Sequence, residues 1–252
     1  MPKRKVEVKL ADTSLIKYDP SDYRIMTADK QKVLQVIDLN LGNQKITVSD
    51  FDRIKVPAGG GIHYEVPGLT GPDMKKELDG IVLFWKSPRA YWQKEFKDSG
   101  GDTPPDCFSD DGMTGTCNVE GLPLGGPCEE CPMSAWNSKQ GSKAQACKEM
   151  RLIFLLMPKL YLPVTLAVPP TSIVTIKKHF LRMASFGVSY YEHVHRFTLL
   201  KDQNAQGIPY SKIEVVSQGE IAPDLMPNVL EYRDKMLPYI HSIRVKPEDM
   251  KS

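Results

Sequence analysis

Gly80-Ile81-Val82-Leu83-Phe84-Trp85 is an apolar, β-prone run that Lys86-Ser87-Pro88 brings to an end. A short continuous run of this kind is typical of a strand that is buried on both faces. We therefore expect residues 80–85 to form the first strand of the core. The remaining elements are predicted by working outward from this strand.

Regular patterns return after residue 149 and predict four more strands and two helices. Strands are expected at 150–157 and 161–168, across a turn at Pro158-Lys159, and at 193–201 and 210–218, joined by a polar hairpin around Asn204 and Gly207. A helix is predicted over 173–186, with an N-cap within residues 169–172 and Gly187 as its C′ residue. The last helix, 222–243, is expected to break near Pro238.

The predicted element order is strand, long insert, strand, strand, helix, strand, strand. This is the order of an OB-fold, a five-stranded barrel, so we expect a mainly β (α+β) chain with an OB-fold-like barrel. The predicted divisions are an N-terminal β extension (1–78), the barrel core (79–221) with an insert at about 99–148, and a C-terminal helix and tail (222–252). In the extension, residues 46–56 and 63–66 are predicted to pair as a hairpin across Pro57–Gly61.

The composition indicates that the fold does not need its cysteines for overall stability. A chain of 252 residues with 41% hydrophobic residues is too apolar to be disordered, and it can form a core without crosslinks. Its five cysteines cluster between residues 107 and 147, and no apolar signal segment follows Met1. No apolar run approaches the ~20 residues that span a bilayer. These features argue against a secreted disulfide framework and favour a soluble protein in the cytoplasm.

The cysteine spacing predicts a structural zinc site. Cys128-Glu129-Glu130-Cys131 has the Cys-x-x-Cys spacing that places two thiolates on one tight turn. Cys147 closes the site from one side, and Cys107 closes it from the other, with Cys117 as the alternative to Cys107. Four thiolates leave no open position for water, so the zinc is expected to be structural. A Cys128/Cys131 redox pair, free thiols and an iron–sulfur cluster are the alternatives.

A net charge of +2 produces no global field, so binding of a polyanion requires a local stripe of positive charge. OB-folds bind single strands with basic side chains on phosphates and with aromatic rings stacked on bases. Residues of these two kinds occur near the ends of the predicted strands. The candidates for nucleic-acid binding are Arg53, Lys55, Lys86, Arg89, Tyr91, Trp92, Arg196, Lys201 and Lys212.

Motifs of catalysis are absent from the sequence. There is no Walker loop, no dinucleotide-binding glycine motif after a strand and no nucleophile elbow. His193 and His195 share one face of a predicted strand, but no carboxylate motif accompanies them, and Phe197 and Leu199 continue that face as a packed surface. We therefore expect no enzymatic activity. A metal-dependent nuclease using these histidines is the remote alternative.

Several short motifs resemble the zinc-bearing single-stranded DNA-binding proteins of tailed phages and mobile elements. The resemblance covers about residues 82–217, and the residues that carry it are Arg89-Ala90-Tyr91-Trp92, Pro105 to Gly112, Cys128 to Pro132, Ala146-Cys147-Lys148, Leu162-Pro163 and Pro169 to Ser172. It implies an OB-fold with a zinc-stabilised insert that coats single strands in replication or recombination. Such proteins often end in an acidic tail that recruits partners, whereas Lys246 to Ser252 is balanced in charge.

The leading prediction is a non-enzymatic protein that coats single-stranded DNA with little sequence preference, in a bacterial cell or a phage-infected host. RNA binding and contacts with replication or recombination proteins remain open. The alternative is a zinc-stabilised protein-interaction module that docks on a replication or transcription complex.

Overall fold

The computed structural model describes residues 18–23, 35–36, 39–40, 42, 44, 51–94, 104–118, 125–141, 143–204 and 207–241. Residues 46–50 of the first predicted strand, the end of the last predicted helix and the tail at 246–252 lie outside this part. The strands are β1 Arg53–Ile54, β2 Tyr64–Val66, β3 Asp73–Lys75, β4 Glu77–Lys86, β5 Arg89–Tyr91, β6 Cys107–Ser109, β7 Thr114–Cys117, β8 Gly125–Pro127, β9 Lys148–Glu149, β10 Arg151–Leu156, β11 Val164–Val168, β12 His193–Gln203 and β13 Pro209–Glu220. The α-helices with side chains described throughout are α1 Pro170–Ser185 and α2 Met226–His241.

Strand β4 lies in the middle of the main sheet, as its double-sided apolar character predicts. It pairs antiparallel with β10 on one edge and with β12 on the other. Leu78 and Val82 belong to one buried cluster, whereas Ile81 and Leu83 belong to another. Gly80 is needed within this strand, because a Cβ there would lie 2.5 Å from the Leu155 side chain and 2.9 Å from the carbonyl oxygen of Leu156.

The main sheet has six strands in the order β1-β11-β10-β4-β12-β13. All its pairs are antiparallel except β1 with β11, which run parallel. No ladder joins β1 to β13 among the described residues, so the sheet does not close. The two edges are nevertheless near each other, since the Ser211 hydroxyl on β13 lies 2.8 Å from the carbonyl oxygens of both Pro57 and Gly61. The chain is therefore mainly β, and the expectation of a closed OB-fold barrel is not confirmed.

Ile176 of helix α1 is buried in the cluster that contains Leu78 and Val82 of β4. Ile173 and Phe180 are half-buried beside it. The predicted spacing is confirmed, and Gly187 takes the left-handed conformation expected of a C′ residue, with φ of 74°. The N-terminus differs from the prediction, because the cap residue is Pro169 and no side chain caps the helix. Ser172 instead accepts a hydrogen bond from the backbone N–H of Ile213, and this bond attaches α1 to β13.

Helix α2 covers the face of β4 and β10 that α1 does not reach. Val229 packs against Ile81 and Leu83, while Met236 and Ile240 pack with Leu152 and Phe154. The predicted break near Pro238 is wrong, since the helix continues through this residue to His241. Burial of Ile240 explains the continuation, because packing on the sheet outweighs the hydrogen bond that proline removes.

The N-terminal extension differs from the predicted hairpin. Lys55 and Glu65 form an antiparallel bridge as expected, but β2 pairs along its length with β3, at residues 73–75. Arg53 and Ile54 pair with β11 of the core sheet instead. The hairpin around Asn204 and Gly207 is confirmed. Strand β12 ends two residues later than predicted, and β13 begins one residue earlier and ends two residues later.

Two histidines are buried in contact between α1 and β12. Nε2 of His195 lies 2.6 Å from the carbonyl oxygen of Tyr190, and its Nδ1 lies 3.1 Å from Nε2 of His179. A carbonyl only accepts, so His195 carries its proton on Nε2 and accepts at Nδ1 from His179. Burial lowers the pKa of both rings below the ordinary value for histidine.

This histidine pair makes the protein sensitive to mild acid. Because both folded-state pKa values lie below the unfolded value of about 6.5, the unfolded chain binds more protons as the pH falls, and stability is lost below that pH. We expect the free energy of unfolding to fall by about 2–4 kcal/mol between pH 7 and pH 5 from this pair. Urea unfolding at both pH values measures the loss.

A His179→Gln variant keeps a side-chain donor for His195 but removes one titrating ring, so it should lose about half as much stability on acidification. His63→Gln, on the loop between β1 and β2, is the matched control and should behave as the parent. Equal acid sensitivity of all three proteins would contradict this account of the pair.

Candidate cysteine site and nucleic-acid interface

The long insert without periodicity is a second, small sheet. We call residues 87–150, between β4 and β10, the cysteine module. Its strands lie in the order β8-β7-β6-β5-β9, all antiparallel and two to four residues long. Strands this short carry too few residues to show an alternating pattern. The element order predicted for the core around this insert is confirmed.

All five cysteines line one cavity in this module, of about 150 Å³. The Cys128–Cys131 segment forms the expected tight turn, in which the N–H of Cys131 donates to the carbonyl of Cys128. Pro132 then starts a short 3-10 turn, and the N–H of Cys147 donates to the carbonyl of Met133. These bonds bring Cys147 back to the knuckle, as the spacing predicts.

Cys107 and Cys117 are joined by a disulfide bond across β6 and β7. The preferred zinc ligand and its alternative are therefore bonded to each other, and Cys128, Cys131 and Cys147 are the free cysteines. Among the described residues, no group of three or more His, Cys, Asp or Glu side chains is arranged to hold a metal ion. The zinc assignment stays a prediction.

The chemistry of the cavity nevertheless suits a soft metal ion. The sulfurs of Cys107, Cys128 and Cys117 lie 3.4, 3.6 and 3.9 Å from the position that a Cβ on Gly115 would occupy. A side chain at residue 115 would fill the space in front of these sulfurs. Thiolate sulfur is the commonest ligand of structural zinc, so reduction of the disulfide would complete a donor set of the right kind.

Arg89 supplies the positive charge beside these sulfurs. Its guanidinium lines the cavity and pairs with Glu149 at 2.8 Å, while its Nη1 is buried with no hydrogen-bond partner among the described residues. Burial raises the pKa of the Cys147 thiol to about 11, and the charge of Arg89 partly opposes this rise. Arg89 therefore belongs to the lining of the cysteine cavity.

Most of the basic residues that the sequence predicts as phosphate contacts form ion pairs with carboxylates of this chain. Lys86 is buried and lies 2.7 Å from Asp110, and Arg196 contacts Asp79 and Glu77. The exposed Lys55 pairs with Glu65, and Lys212 lies 3.6 Å from Asp202. Each of these four cations thus pairs with a carboxylate of the described part of the chain, and the prediction that they line one groove on a polyanion stays untested.

The remaining candidates occupy three separate places. Arg53 is half-buried on β1, and Lys201 is exposed on β12 next to Gly60. Tyr91 lines the cysteine cavity, and Trp92 packs against the cluster that contains Leu152 and Phe154. Trp92 thus contributes to the junction between the module and the core sheet, whereas Tyr91 belongs to the cysteine cavity.

Sequence reasoning missed an exposed aromatic residue, Trp136, with 73% of its surface accessible. It lies in the loop between Cys131 and Cys147, which we call the tryptophan loop. Backbone bonds of Asn137 to Lys143 and of Lys139 to Ala144 close this loop, and the Ser138 hydroxyl donates to the carbonyl of Met133. The signal in the sequence is a tryptophan with only polar and small neighbours.

The histidines do not form a metal site. Both ring nitrogens of His195 are in hydrogen bonds, and Nδ1 of His193 lies 2.7 Å from the Ser217 hydroxyl. A bulge between Val194 and His195 separates the two residues that simple alternation would place on one face. His195, Phe197 and Leu199 are all buried, so the packed surface is confirmed and the nuclease alternative has no support from this cluster.

Comparisons of the chain with protein-family models, with curated proteins and with solved structures give no significant match. The resemblance to phage and mobile-element proteins is therefore a prediction from motifs alone. None of the helices in the described ranges combines the length and the apolar character needed to cross a bilayer.

The Lys86–Asp110 pair joins the end of β4 to the cysteine module, and its loss should destabilise the protein. An Asp110→Asn variant leaves a buried ammonium group without its carboxylate, and we expect a loss of about 1–3 kcal/mol. Urea unfolding measures this loss. The matched control is Glu65→Gln, which removes the exposed partner of Lys55 and should cost under about 0.5 kcal/mol.

A double variant, Lys86→Met with Asp110→Asn, removes both charges and should recover most of the lost stability. Equal losses in Asp110→Asn and Glu65→Gln would show that the pair does not stabilise the junction.

Proposed function

We propose that this protein binds single-stranded DNA without catalysing a reaction, through an OB-type barrel whose first loop is a zinc-stabilised module. The proposed setting is replication or recombination in the cytoplasm of a bacterial cell or a phage-infected host. RNA is the alternative ligand, and replication or recombination proteins are the proposed partners. The motif resemblance supplies this setting.

The strand order supports the OB-type assignment. Five strands of the main sheet lie in the order β11-β10-β4-β12-β13. Along the chain, α1 lies between the third and fourth of these five strands, β11 and β12. An OB-fold has this sequence of elements and is often only partly closed. Its oligonucleotides contact the face of the second and third strands and the loops that follow the first and fourth strands.

The cover of α2 over β10 restricts where a strand of DNA can bind. Since α2 buries the outer face of β4 and β10, the two loops are the accessible part of an OB-type binding surface. The first loop is the cysteine module, and the second is the hairpin at 203–209. Lys201 and Lys212 lie at the base of that hairpin.

The exposed ring of Trp136 is the observation that carries the proposal. Trp136 is 73% exposed, so a base can stack on the face of its ring. The hydrogen bonds of the tryptophan loop fix the backbone on both sides of Trp136 before binding, which lowers the entropy cost of association. Lys139 and Lys143, both exposed, lie in the same loop and can contact phosphates.

Zinc is proposed to hold this loop in position. Cys107, Cys128, Cys131 and Cys147 would provide four thiolates, and the metal would serve only as a structural crosslink. Ligands at 131 and 147 flank the tryptophan loop, so metal binding would fix both of its ends. Arg89 would offset part of the negative charge of the thiolates.

The zinc proposal predicts about one zinc ion per chain in protein purified under reducing conditions. Cys131→Ser should reduce the zinc content to near zero, whereas Ser138→Ala in the tryptophan loop should retain it. Elemental analysis measures the content, and limited proteolysis follows the module. Metal-free, reduced protein whose residues 104–149 resist protease as well as the metal-loaded protein would contradict a structural role.

The binding proposal is tested by titrating a fluorescent oligo-dT with the reduced protein at 50 and 200 mM salt. We expect binding that weakens by about ten-fold over this range, since only a few phosphates release counterions. Oligo-U in parallel compares RNA with DNA. No binding at 50 mM salt, or affinity that does not change with salt, would contradict the proposal.

Replacement of Trp136 identifies the stacking surface. Trp136→Ala should weaken binding by about 5- to 150-fold, because a stacked base contributes roughly 1–3 kcal/mol. Phe186→Ala is the matched control, since Phe186 is a similarly exposed ring at the end of α1. If the two changes weaken oligo-dT binding equally, the bases do not stack on Trp136.

A second candidate function, a protein-interaction module, is favoured by the β2–β3 hairpin. This hairpin exposes Leu69 completely and Met74 at 62%. Exposed apolar residues on one hairpin are a feature that protein-binding surfaces share. A double change of Leu69 and Met74 to Ser that removes a co-purifying partner, with oligo-dT affinity unchanged, would identify that role.

A further inference from the structure

The positions of Cys107 and Cys117 make their pairing independent of a metal. The two residues are directly opposite each other in the antiparallel β6–β7 ladder, and the next pair is Phe108 with Thr116. Beyond the cysteines, the N–H of Asn118 donates to the carbonyl of Asp106 at 2.8 Å. Backbone bonds on both sides therefore keep residues 107 and 117 opposite each other without help from a metal.

The same cavity contains the other three sulfurs. Cys128 is fixed to the β6–β7 hairpin by a hydrogen bond from its N–H to the carbonyl of Met113, at 2.7 Å. Its sulfur and those of Cys107 and Cys117 lie within 4 Å of one point beside Gly115. Cys131 and Cys147 complete the lining. Five sulfurs thus line this cavity, and a structural zinc ion would bind four of them.

The disulfide and a four-thiolate zinc site exclude each other in this chain. A sulfur that is bonded to another sulfur has no thiolate to offer a metal. The chain has five cysteines, so the disulfide leaves Cys128, Cys131 and Cys147 as the only remaining thiols. Three thiols cannot close a structural Cys₄ site.

We propose that Cys107 and Cys117 form a redox modification site that controls zinc binding in the cysteine module, with Cys107 as the zinc ligand and Cys117 as the resolving cysteine. This inference rests on the zinc site of the proposed function. Cys107 is partly exposed whereas Cys117 is buried, so an oxidant reaches Cys107 first. The fifth cysteine, which the zinc site does not need, then has a function of its own.

The proposed oxidant is a peroxide, and the reaction balances with one molecule of hydrogen peroxide. The Cys107 thiolate attacks a peroxide oxygen, the O–O bond breaks, and a sulfenic acid and water form after protonation. The Cys117 thiol then attacks the sulfenic sulfur, which forms the disulfide and releases a second water. Two electrons pass from the two sulfurs to the peroxide, zinc leaves as Zn²⁺, and a thiol reductant reverses the change.

The test uses the full chain, loaded with zinc and reduced, without DNA. One equivalent of hydrogen peroxide is added, released zinc is followed with a chromogenic chelator, and the disulfides are mapped by peptide mass spectrometry. We expect about one zinc per chain to be released in step with the Cys107–Cys117 disulfide, and to be taken up again after reduction. Zinc that stays bound when this disulfide has formed completely would overturn the proposal.

Two variants assign the roles of the pair. Cys117→Ser should contain as much zinc as the parent, and after one equivalent of peroxide its Cys107 should remain a sulfenic acid detectable by peptide mass spectrometry, because the resolving thiol is missing. Cys107→Ser should contain little zinc. Low zinc content in Cys117→Ser, or full zinc content in Cys107→Ser, would overturn the assignment. The measurements on the parent chain need no variant, so they remain decisive if a variant does not fold.

Failure of the proposed function gives a different result. A chain that releases zinc on oxidation but never binds oligo-dT would refute only the nucleic-acid proposal and support the redox site. A reduced chain that binds oligo-dT but contains no zinc would overturn the redox-controlled zinc site.

Discussion

Burial of β4 on both faces is the constraint on which the other parts of the structure depend. Both edges of this strand are hydrogen-bonded, by β10 and β12, so a connection from β4 to β10 can leave only from the strand end. Both faces of β4 are apolar and must be covered. Helix α1 and the strands packed with it cover one face, and α2 covers the other. The cysteine module is therefore placed at the end of β4, outside the core.

The module is attached to this end by apolar packing as well as by charge, since Ala90, Phe108 and Met150 belong to the cluster that contains Leu152 and Phe154. Lys86 at the end of β4 also reaches Asp110 of the module at 2.7 Å. The ion pairs of Lys86 and Arg89 engage two of the cations that the sequence predicts as phosphate contacts. In the proposed complex with nucleic acid, stacking on aromatic rings would then contribute more than these two cations.

Local patterns were sufficient to predict α1 and five strands of the main sheet, β4 and β10 to β13, because each of these elements is long enough to show its apolar pattern. The ion pairs could not be predicted in this way, since their partners are 24, 60 and 117 residues apart for Lys86, Arg89 and Arg196. The knuckle at 128–131 is local and its turn is confirmed. The pairing of Cys107 with Cys117 depends on the register of two short strands, which spacing alone does not determine.

The choice between disulfide and metal determines which parts of the module are connected. The disulfide joins β6 to β7, two strands that already share backbone hydrogen bonds, so it adds little to their relative positions. A metal on Cys107, Cys128, Cys131 and Cys147 would connect that hairpin to both ends of the tryptophan loop. The position of Trp136 relative to the core sheet would then depend on the metal more than on any apolar contact, since its own side chain is exposed. Oxidation would leave the core sheet intact and act selectively on this loop, because the buried clusters around β4 contain no cysteine.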